Sequence, residues 1–514
     1  MTVGEANYEP LRARIAKQAL RFPDKTYVHA IDQDKSLTYG ELFHLANQMA
    51  QFFQDRGIAA NDRILMLSEN SVEFMAIFLG VQRYGATIAT ANIEMNRDHI
   101  AEIIRAIGPR LVLVQEGLGL ERLGDSAGGT EWMAIGDWNA AGRSSGFFAE
   151  LDKYTGDDEL QEVCSREDIA VIFYTSGTEA KPKGVLQSHL AVWANFDAIS
   201  DCVGLGEGDR MLDCRSYTWL SAQNMSLGAP LVAGATVYMA KKFSRSRYFE
   251  WVRDYRITIA ISVPTILNML MNEPADVRGE DLPELRFLMT SSAPMLPDQW
   301  REFEDRYGMR VCQSYGCSEA GLMCSHRGEK RKIGTVGPPL KHQTLRLLDP
   351  NGNDVAPGQS GEITVSGPQL SHGYLRPDGS IQTLPRSGHR TGDLGIIDED
   401  GHVAIVGRLK DLIIRGGVNI SPLEIDNVLS RHPDIVEGAS IGIPDRIYGD
   451  EVVAYVVALP GSNLSAADVI AHCRQFLAPF KTPKDIRFVA ELPKNARGKL
   501  DRATLASLWQ QQSA

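Results

Sequence analysis

Between residues 63 and 114 the chain alternates apolar runs with helical patterns, and that alternation leaves few architectures open. Residues 63–67 (Arg-Ile-Leu-Met-Leu) read as a buried strand, 72–83 as a helix and 86–91 as the next strand. A helix over 98–106 and a strand at 111–114 follow. Strands separated by helices of this length predict an α/β fold with a largely parallel sheet. The pattern resumes with strands at 258–264 and 285–290, each ending in a small-residue turn, where open α/β sheets place their ligands.

The flanking segments are less regular. Leu11, Ile15 and Leu20 mark the apolar face of a helix over 8–22, closed by Pro23. Thr38 with Glu41 three residues on predicts a capping box opening a helix toward Arg56-Gly57. Residues 119–165 read as a loop-rich passage. Short runs at 343–348 and 361–366, separated by Gly, Asp, Asn and Pro, suggest a small antiparallel or barrel-like β subdomain, and after Arg408 comes a compact mixed unit. A chain of 514 residues exceeds a single core, so two or three domains are expected.

Composition excludes several function classes. A net charge of −12 argues against a general nucleic-acid binder while leaving room for a local basic groove. The uncharged run 219–240 contains Gln223, Asn224, two glycines and a proline, so burial is expected rather than a membrane span. Seven scattered cysteines fit a reducing compartment, and Met1 to Glu5 lacks the pattern of a signal peptide, so a cytoplasmic location is expected. Cys312, Cys317, Cys324 and His326 form no C-x-x-C pair and are not read as a zinc site.

The apolar run 169–173 empties into Tyr174-Thr175-Ser176-Gly177-Thr178-Glu179-Ala180-Lys181-Pro182-Lys183-Gly184. Hydroxyls, a glycine and two lysines suit such a loop to gripping polyphosphate. It is not the P-loop of kinases and GTPases, since glycine follows the last lysine and Val185 stands next. Four further stretches are read at turns: Ser291-Ser292-Ala293-Pro294, Gln313-Ser314-Tyr315-Gly316-Cys317-Ser318-Glu319, Thr391-Gly392-Asp393 ahead of Gly407-Arg408-Leu409-Lys410-Asp411, and Pro493 to Lys499. Taken singly each has a plain reading: Tyr315 a core aromatic, Glu319 a helix-start carboxylate, Asp393 a turn residue, Lys499 a surface lysine.

Taken together, in this order, these motifs resemble the adenylate-forming superfamily of acyl-CoA synthetases, peptide-synthetase adenylation domains and luciferases, over nearly the whole chain. The resemblance implies a large N-terminal domain of stacked α/β sheets with a small barrel-like β subdomain (1–409) and a small mobile α+β C-terminal domain (410–514). It implies ATP, Mg²⁺ and coenzyme A as reactants, a small carboxylic acid as substrate, no nucleic-acid partner, no membrane span, and a monomer or homodimer. By the same resemblance Thr175, Ser176, Gly177, Thr178 and Lys183 hold the ATP phosphates. Ser292, Ala293, Pro294, Gln313, Ser314 and Tyr315 form the adenine pocket, Ser318 meets the α-phosphate, and Asp393 and Arg408 take the ribose. Glu319 holds the metal, Lys499 is the mobile catalytic lysine, Lys410 the hinge, and Gly416-Gly417 a turn along the pantetheine channel.

Two departures stand out. Glu179-Ala180 replaces a common Thr-Gly, adding repulsion toward triphosphate, and Asn495 replaces a common Thr or Ser. They leave a non-catalytic nucleotide-binding homologue as an alternative, beside a stand-alone enzyme that loads a carrier protein. For the acyl pocket the resemblance points to Trp219 as an aromatic gate, to Asn224 beside it, and to Gly316 where acetyl-CoA synthetases carry a closing Trp, so an acyl group larger than acetate is expected. Residues 214–219 hold no Asp for an amino-acid substrate. Arg215 reads either as a pocket cation or, in preference, as one half of a surface ion pair with Asp213.

Overall fold

The structure, a computed structural model, describes residues 8–120, 123, 130–140, 145–157, 159–175, 183–328, 330–385, 387–494 and 499–513. Two eight-stranded sheets form the bulk of the chain. In the first, the parallel strands Val311–Cys317, Phe287–Thr290, Ile259–Ser262, Arg210–Asp213, Thr236–Met239 and Thr26–Ala30 lie side by side, with antiparallel Gly321–Ser325 and Lys35–Thr38 at the edges. In the second, Ile169–Thr175, Thr87–Thr90, Arg63–Leu67, Leu111–Val114 and Glu131–Ala134 run parallel. Lys183–Ser188, Gly373–Leu375 and Ile381–Thr383 extend it antiparallel.

The helix Val72–Tyr84 explains how the two sheets stack. All thirteen of its residues are buried, its few polar ones with partners: Glu73 pairs with Lys35 and Arg83 donates to Asn47; a helix this apolar is expected to be enclosed by protein. Tyr27, Val28 and Val237 of the first sheet share one apolar cluster with Ile64, Ile88 and Val171 of the second, filled in by Phe52, Phe53, Phe74 and Phe78. The helix Tyr39–Asp55 beside it opens with the expected box: Thr38 Oγ1 accepts from the Glu41 N–H, and Glu41 Oε2 accepts from the Thr38 N–H.

A four-stranded antiparallel sheet follows, in the order Thr344–Leu348, Gly361–Ser366, His389–Ile397, Val403–Arg408, with no pairing between its outer strands among the described residues. The C-terminal unit is a five-stranded sheet centred on Gly449–Ala458. Alternate residues of that strand face opposite ways. Val452, Ala454 and Val456 meet Ile425 and Cys473 of the helices Pro422–Leu429 and Ala466–Phe476, while Val453 and Tyr455 meet Leu505 and Trp509 of Arg502–Ser513.

The structure revises several expectations. Leu20 is 86% exposed, because the buried face of Leu11–Arg21 is Arg14, Ile15, Gln18 and Ala19. Residues 119–165 contribute the edge strand Glu131–Ala134 and the short helix Phe147–Leu151. Pro264 opens the helix Pro264–Asn272 instead of ending a strand, its lost N–H falling where a helix has no partner for one. Residues 313–317 and 391–393, read as turns, lie in strands because the neighbours Gly321–Ser325, Gly361–Ser366 and Val403–Arg408 satisfy their backbones. Glu319 starts no helix and sits in the turn after Val311–Cys317.

Arg215 is the largest revision. It pairs with Asp213 as expected, but the side chains are 1% and 0% exposed, so this is no surface pair. The guanidinium donates to both Asp213 oxygens, Nε to Oδ1 at 3.0 Å and Nη2 to Oδ2 at 2.8 Å, and Nη1 reaches Ser221 Oγ. Ser226 donates to the same carboxylate. Removing one partner of a buried pair strands the other charge. Arg215→Met is therefore expected to destabilise the protein by about 3–5 kcal/mol, and Asp213→Asn/Arg215→Met by clearly less than the summed single changes. Urea-unfolding midpoints of the four proteins check this, and strictly additive effects would contradict it.

Candidate functional site

Parallel strands of the first sheet deliver the site. Leu288 pairs with Val311 and Thr290 with Gln313, so the carboxyl ends of two neighbouring strands release Ser291-Ser292-Ala293-Pro294 and Ser314-Tyr315-Gly316 side by side. Ser292 adopts φ +74°, a left-handed conformation unusual outside glycine. The turn it makes presents the Ala293 carbonyl, which accepts from Gln313 Nε2 at 3.0 Å.

Asp393 and Arg408 are direct partners across two antiparallel strands. Arg408 Nε donates to Asp393 Oδ1 at 2.7 Å, and the Tyr315 hydroxyl donates to Oδ2 at 2.6 Å. Burial, followed by the adjacent Asp393 charge, holds the Tyr315 phenol well above its ordinary value, so it stays a donor. The three side chains connect the first sheet to the four-stranded sheet.

A cleft of about 400 Å³ opens above them. Ser292, Ala293, Pro294, Gln313, Ser314, Tyr315, Gly316, Asp393 and Arg408 line it from one side, and Lys499 with Lys494 and Arg502 from the C-terminal unit. Lys410 is exposed in the one-turn segment Leu409–Asp411, between a strand of the four-stranded sheet and one of the five-stranded sheet. Gly416 and Gly417, at φ +58° and +82°, form the exposed turn between Ile413–Arg415 and Val418–Ile420 and do not line the cleft.

A second group lies by the antiparallel end of the other large sheet, at its second and third strands. The Tyr374 hydroxyl donates to Glu319 Oε1 at 2.6 Å, and Lys183 Nζ stands 6.0 Å from the Tyr374 ring centroid. The Ser371 N–H donates to the Glu319 carbonyl and its hydroxyl to the Ser318 carbonyl, so strand Gly373–Leu375 stitches the Ser318-Glu319 turn to Lys183–Ser188. Tyr374, Ser371 and His389 carried no signal in the sequence, because only strand pairing brings them to Glu319. Of the loop, Ser176, Gly177, Thr178, Glu179, Ala180 and Lys181 lie outside the described residues, as does Asn495; Thr175 ends strand Ile169–Thr175.

The acyl-pocket candidates divide. Gly316 lines the cleft, but a Cβ there would sit 2.2 Å from the Gly321 carbonyl oxygen, so the irregular pairing with the neighbouring strand demands a glycine. Trp219 and Asn224 do not line it. Trp219 packs against the main core, and Asn224 lies in the buried π-helical turn Gln223–Gly228 with Nδ2 unpartnered. The cysteine-rich stretch is structural in part. Cys312 and Cys324 are buried, and burial pushes His326 down to about 4, a neutral ring set between the Gln313 N–H and Thr335.

A hard cation can be tested against these residues. Mg²⁺ takes oxygen ligands, usually one or two protein carboxylates plus substrate phosphates. Glu319, oriented by Tyr374, supplies a carboxylate of that kind, so the donor set fits.

The model for AMP-binding enzymes matches residues 15–375, and that for the AMP-binding enzyme C-terminal domain matches 424–499. A sulfoacetate–CoA ligase of Cupriavidus necator is 32% identical over 504 residues, 97% of each chain. An oxalate–CoA ligase of Arabidopsis thaliana is 30% identical, covering 97% of this chain and 98% of the relative. Among solved structures, ATP-bound MatB from Rhodopseudomonas palustris superposes with a TM-score of 0.86 at 28% identity over 97% of this chain and 99% of that one. The anthranilate CoA ligase AuaEII with anthranoyl-AMP gives 0.85 at 25% identity over 99% of each. Among the described residues no helix is long and apolar enough to cross a membrane. The chain belongs to the AMP-binding enzyme family and is an adenylate-forming enzyme of the acid–thiol ligase kind.

Proposed function

We propose that the protein joins a carboxylic acid to ATP, releasing pyrophosphate and forming an acyl-adenylate, and then passes the acyl group to coenzyme A, releasing AMP. The observation that carries this reading is the single cleft shared by Tyr315, Asp393, Arg408 and Lys499. In it Tyr315 stacks on adenine, Asp393 accepts the ribose hydroxyls, Arg408 steadies Asp393, and Lys499 bridges the acid and the α-phosphate.

The chemistry needs cations more than a nucleophile. A substrate carboxylate approaching a polyphosphate is repelled, and charge grows on the phosphoryl oxygens as the pyrophosphate bond breaks. Preorganised positive groups in a low-dielectric cleft offset both effects. Lys499 does so at the α-phosphate and Lys183 at the leaving phosphates, while Glu319 holds Mg²⁺ and Tyr374 fixes the Glu319 carboxylate. Bound Mg²⁺ neutralises phosphate charge.

In the second step the coenzyme A sulfur attacks the acyl carbonyl and AMP leaves. We place the domain boundary at 409/410 with Lys410 at the hinge. The exposed Gly416-Gly417 turn comes to the cleft only after the C-terminal domain rotates. For the acid, the sulfoacetate and oxalate ligases named above act on substrates with two anionic groups, whereas the anthranilate ligase acts on one with a single carboxylate, and here Asp213 already neutralises Arg215. A second anionic group on the substrate is therefore not read by Arg215.

Pyrophosphate and AMP release, assayed with ATP and Mg²⁺ over aliphatic, aromatic and dicarboxylic acids, is expected to require coenzyme A for sustained turnover and to yield a thioester by mass. Release indifferent to coenzyme A would point to a carrier-protein acceptor instead. Lys499→Ala is expected to lower adenylation by about 10²–10³-fold while sparing thioester formation from supplied acyl-adenylate. Equal loss of both steps would contradict the two-orientation scheme. Tyr374→Phe, which removes one hydrogen bond to a charged group, is expected to raise the Mg²⁺ concentration giving half-maximal rate by roughly tenfold, with the rate at saturating Mg²⁺ little changed.

A further inference from the structure

Glu319 has a second set of neighbours that the proposed reaction does not use. Its Oε1 accepts from Tyr374, whereas Oε2 faces His389 Nε2 at 4.0 Å. Cys317 Sγ completes the group: the three donor atoms all lie within 4.8 Å of one another, and each residue is half-buried. They come from two pieces of backbone. Cys317 ends strand Val311–Cys317, Glu319 sits in the turn after it, and His389 opens strand His389–Ile397. Burial holds the Cys317 thiol well above its ordinary value, and hydrogen bonds from the Glu319 and Ala320 backbone N–H groups to the sulfur oppose that shift.

We propose that Cys317, Glu319 and His389 form a binding site for a borderline-soft divalent cation, with zinc as the biological ion of that class, and that its occupation stops adenylation. Thiolate, imidazole and carboxylate are a zinc donor set, and with three protein ligands the fourth position stays open to water or a phosphate oxygen. Tetrahedral zinc places its donors about 3.5 Å apart, so rotamer adjustments of roughly 1 Å close the site. On binding, the Cys317 thiol gives its proton to solvent as the zinc–sulfur bond forms. Sulfur and nitrogen favour zinc over magnesium, which keeps to oxygen. The two ions therefore compete for one carboxylate, and a Glu319 drawn toward His389 and Cys317 is withdrawn from the magnesium–phosphate side. The inhibitory consequence rests on the role proposed above for Glu319; the site itself does not.

Cobalt(II) is the probe. Added to metal-free full-length protein, it is expected to give a thiolate-to-cobalt charge-transfer band that zinc displaces, that Cys317→Ser abolishes, and that His389→Gln weakens by more than about tenfold in affinity. With saturating ATP and Mg²⁺, zinc is expected to suppress pyrophosphate release by the wild type, while both variants keep the zinc-free rate and need at least tenfold more zinc (roughly the cost of losing a supporting partner). No band in the wild type, or a band unchanged in Cys317→Ser, would overturn the site. A band lost in Cys317→Ser together with turnover indifferent to zinc would overturn the inhibition and place the error in the reading of Glu319.

Discussion

The Asp393 carboxylate is the contact on which the site's geometry depends. It is 4% exposed, and a buried carboxylate is tolerated only where charge and hydrogen bonds replace water. Here one oxygen takes the Arg408 guanidinium and the other the Tyr315 hydroxyl. Because Tyr315 belongs to the large sheet and Asp393 and Arg408 to the four-stranded one, satisfying this group ties the two sheets together at the site, beside the apolar cluster of Met323 and Cys324 with Ile363 and Val403. The cleft wall is thereby set before any ligand arrives, which is what electrostatic preorganisation requires.

Around that contact the fold divides labour by layer. The two large sheets and the buried helix Val72–Tyr84 supply an apolar mass that involves little of the polar chemistry. Polar residues gather where strands end or pair irregularly: Ser292 in its left-handed turn, the bulge at Tyr315-Gly316, and the Ser318-Glu319 turn stitched by Ser371. The C-terminal unit has its own two-sided core and brings charged residues, Lys494, Lys499 and Arg502, to the open side of the cleft. The chain passes between the two walls at Leu409–Asp411, and Arg431 with Asp298 and Ser421 with the Val406 carbonyl add contacts between them.

Much of this was legible in the residues. The period of the apolar pattern identified the strands at 63–67, 111–114 and 361–366, because burial on both faces or on alternate positions leaves a direct mark on sequence. The Thr38–Glu41 box was equally readable, being a local exchange of hydrogen bonds. What failed to show was non-local. Residues 313–317 and 391–393 carry glycines and hydroxyls that favour turns, and only pairing with other strands, the near hairpin partner Gly321–Ser325 and the more distant Gly361–Ser366 and Val403–Arg408, makes them strands. The depth of the Arg215–Asp213 pair was invisible for the same reason, since spacing reveals that two residues can meet but not how much protein covers them.

The sequence by itself determined the fold class, the family and the identity of the chemical groups: a Tyr, an Asp, an Arg and a Lys in ordered motifs are covalent facts, and periodicity follows from local backbone geometry. Only the tertiary structure decided which groups stand together. Tyr374 and His389 reach Glu319 because the strands Gly373–Leu375 and His389–Ile397 pair with distant neighbours. Gly316 is confined to glycine by a carbonyl on the adjoining strand, and Arg215 is neutralised deep in the core. Proximity across a sheet is set by register and packing summed over the whole chain, and no short stretch of residues encodes it alone.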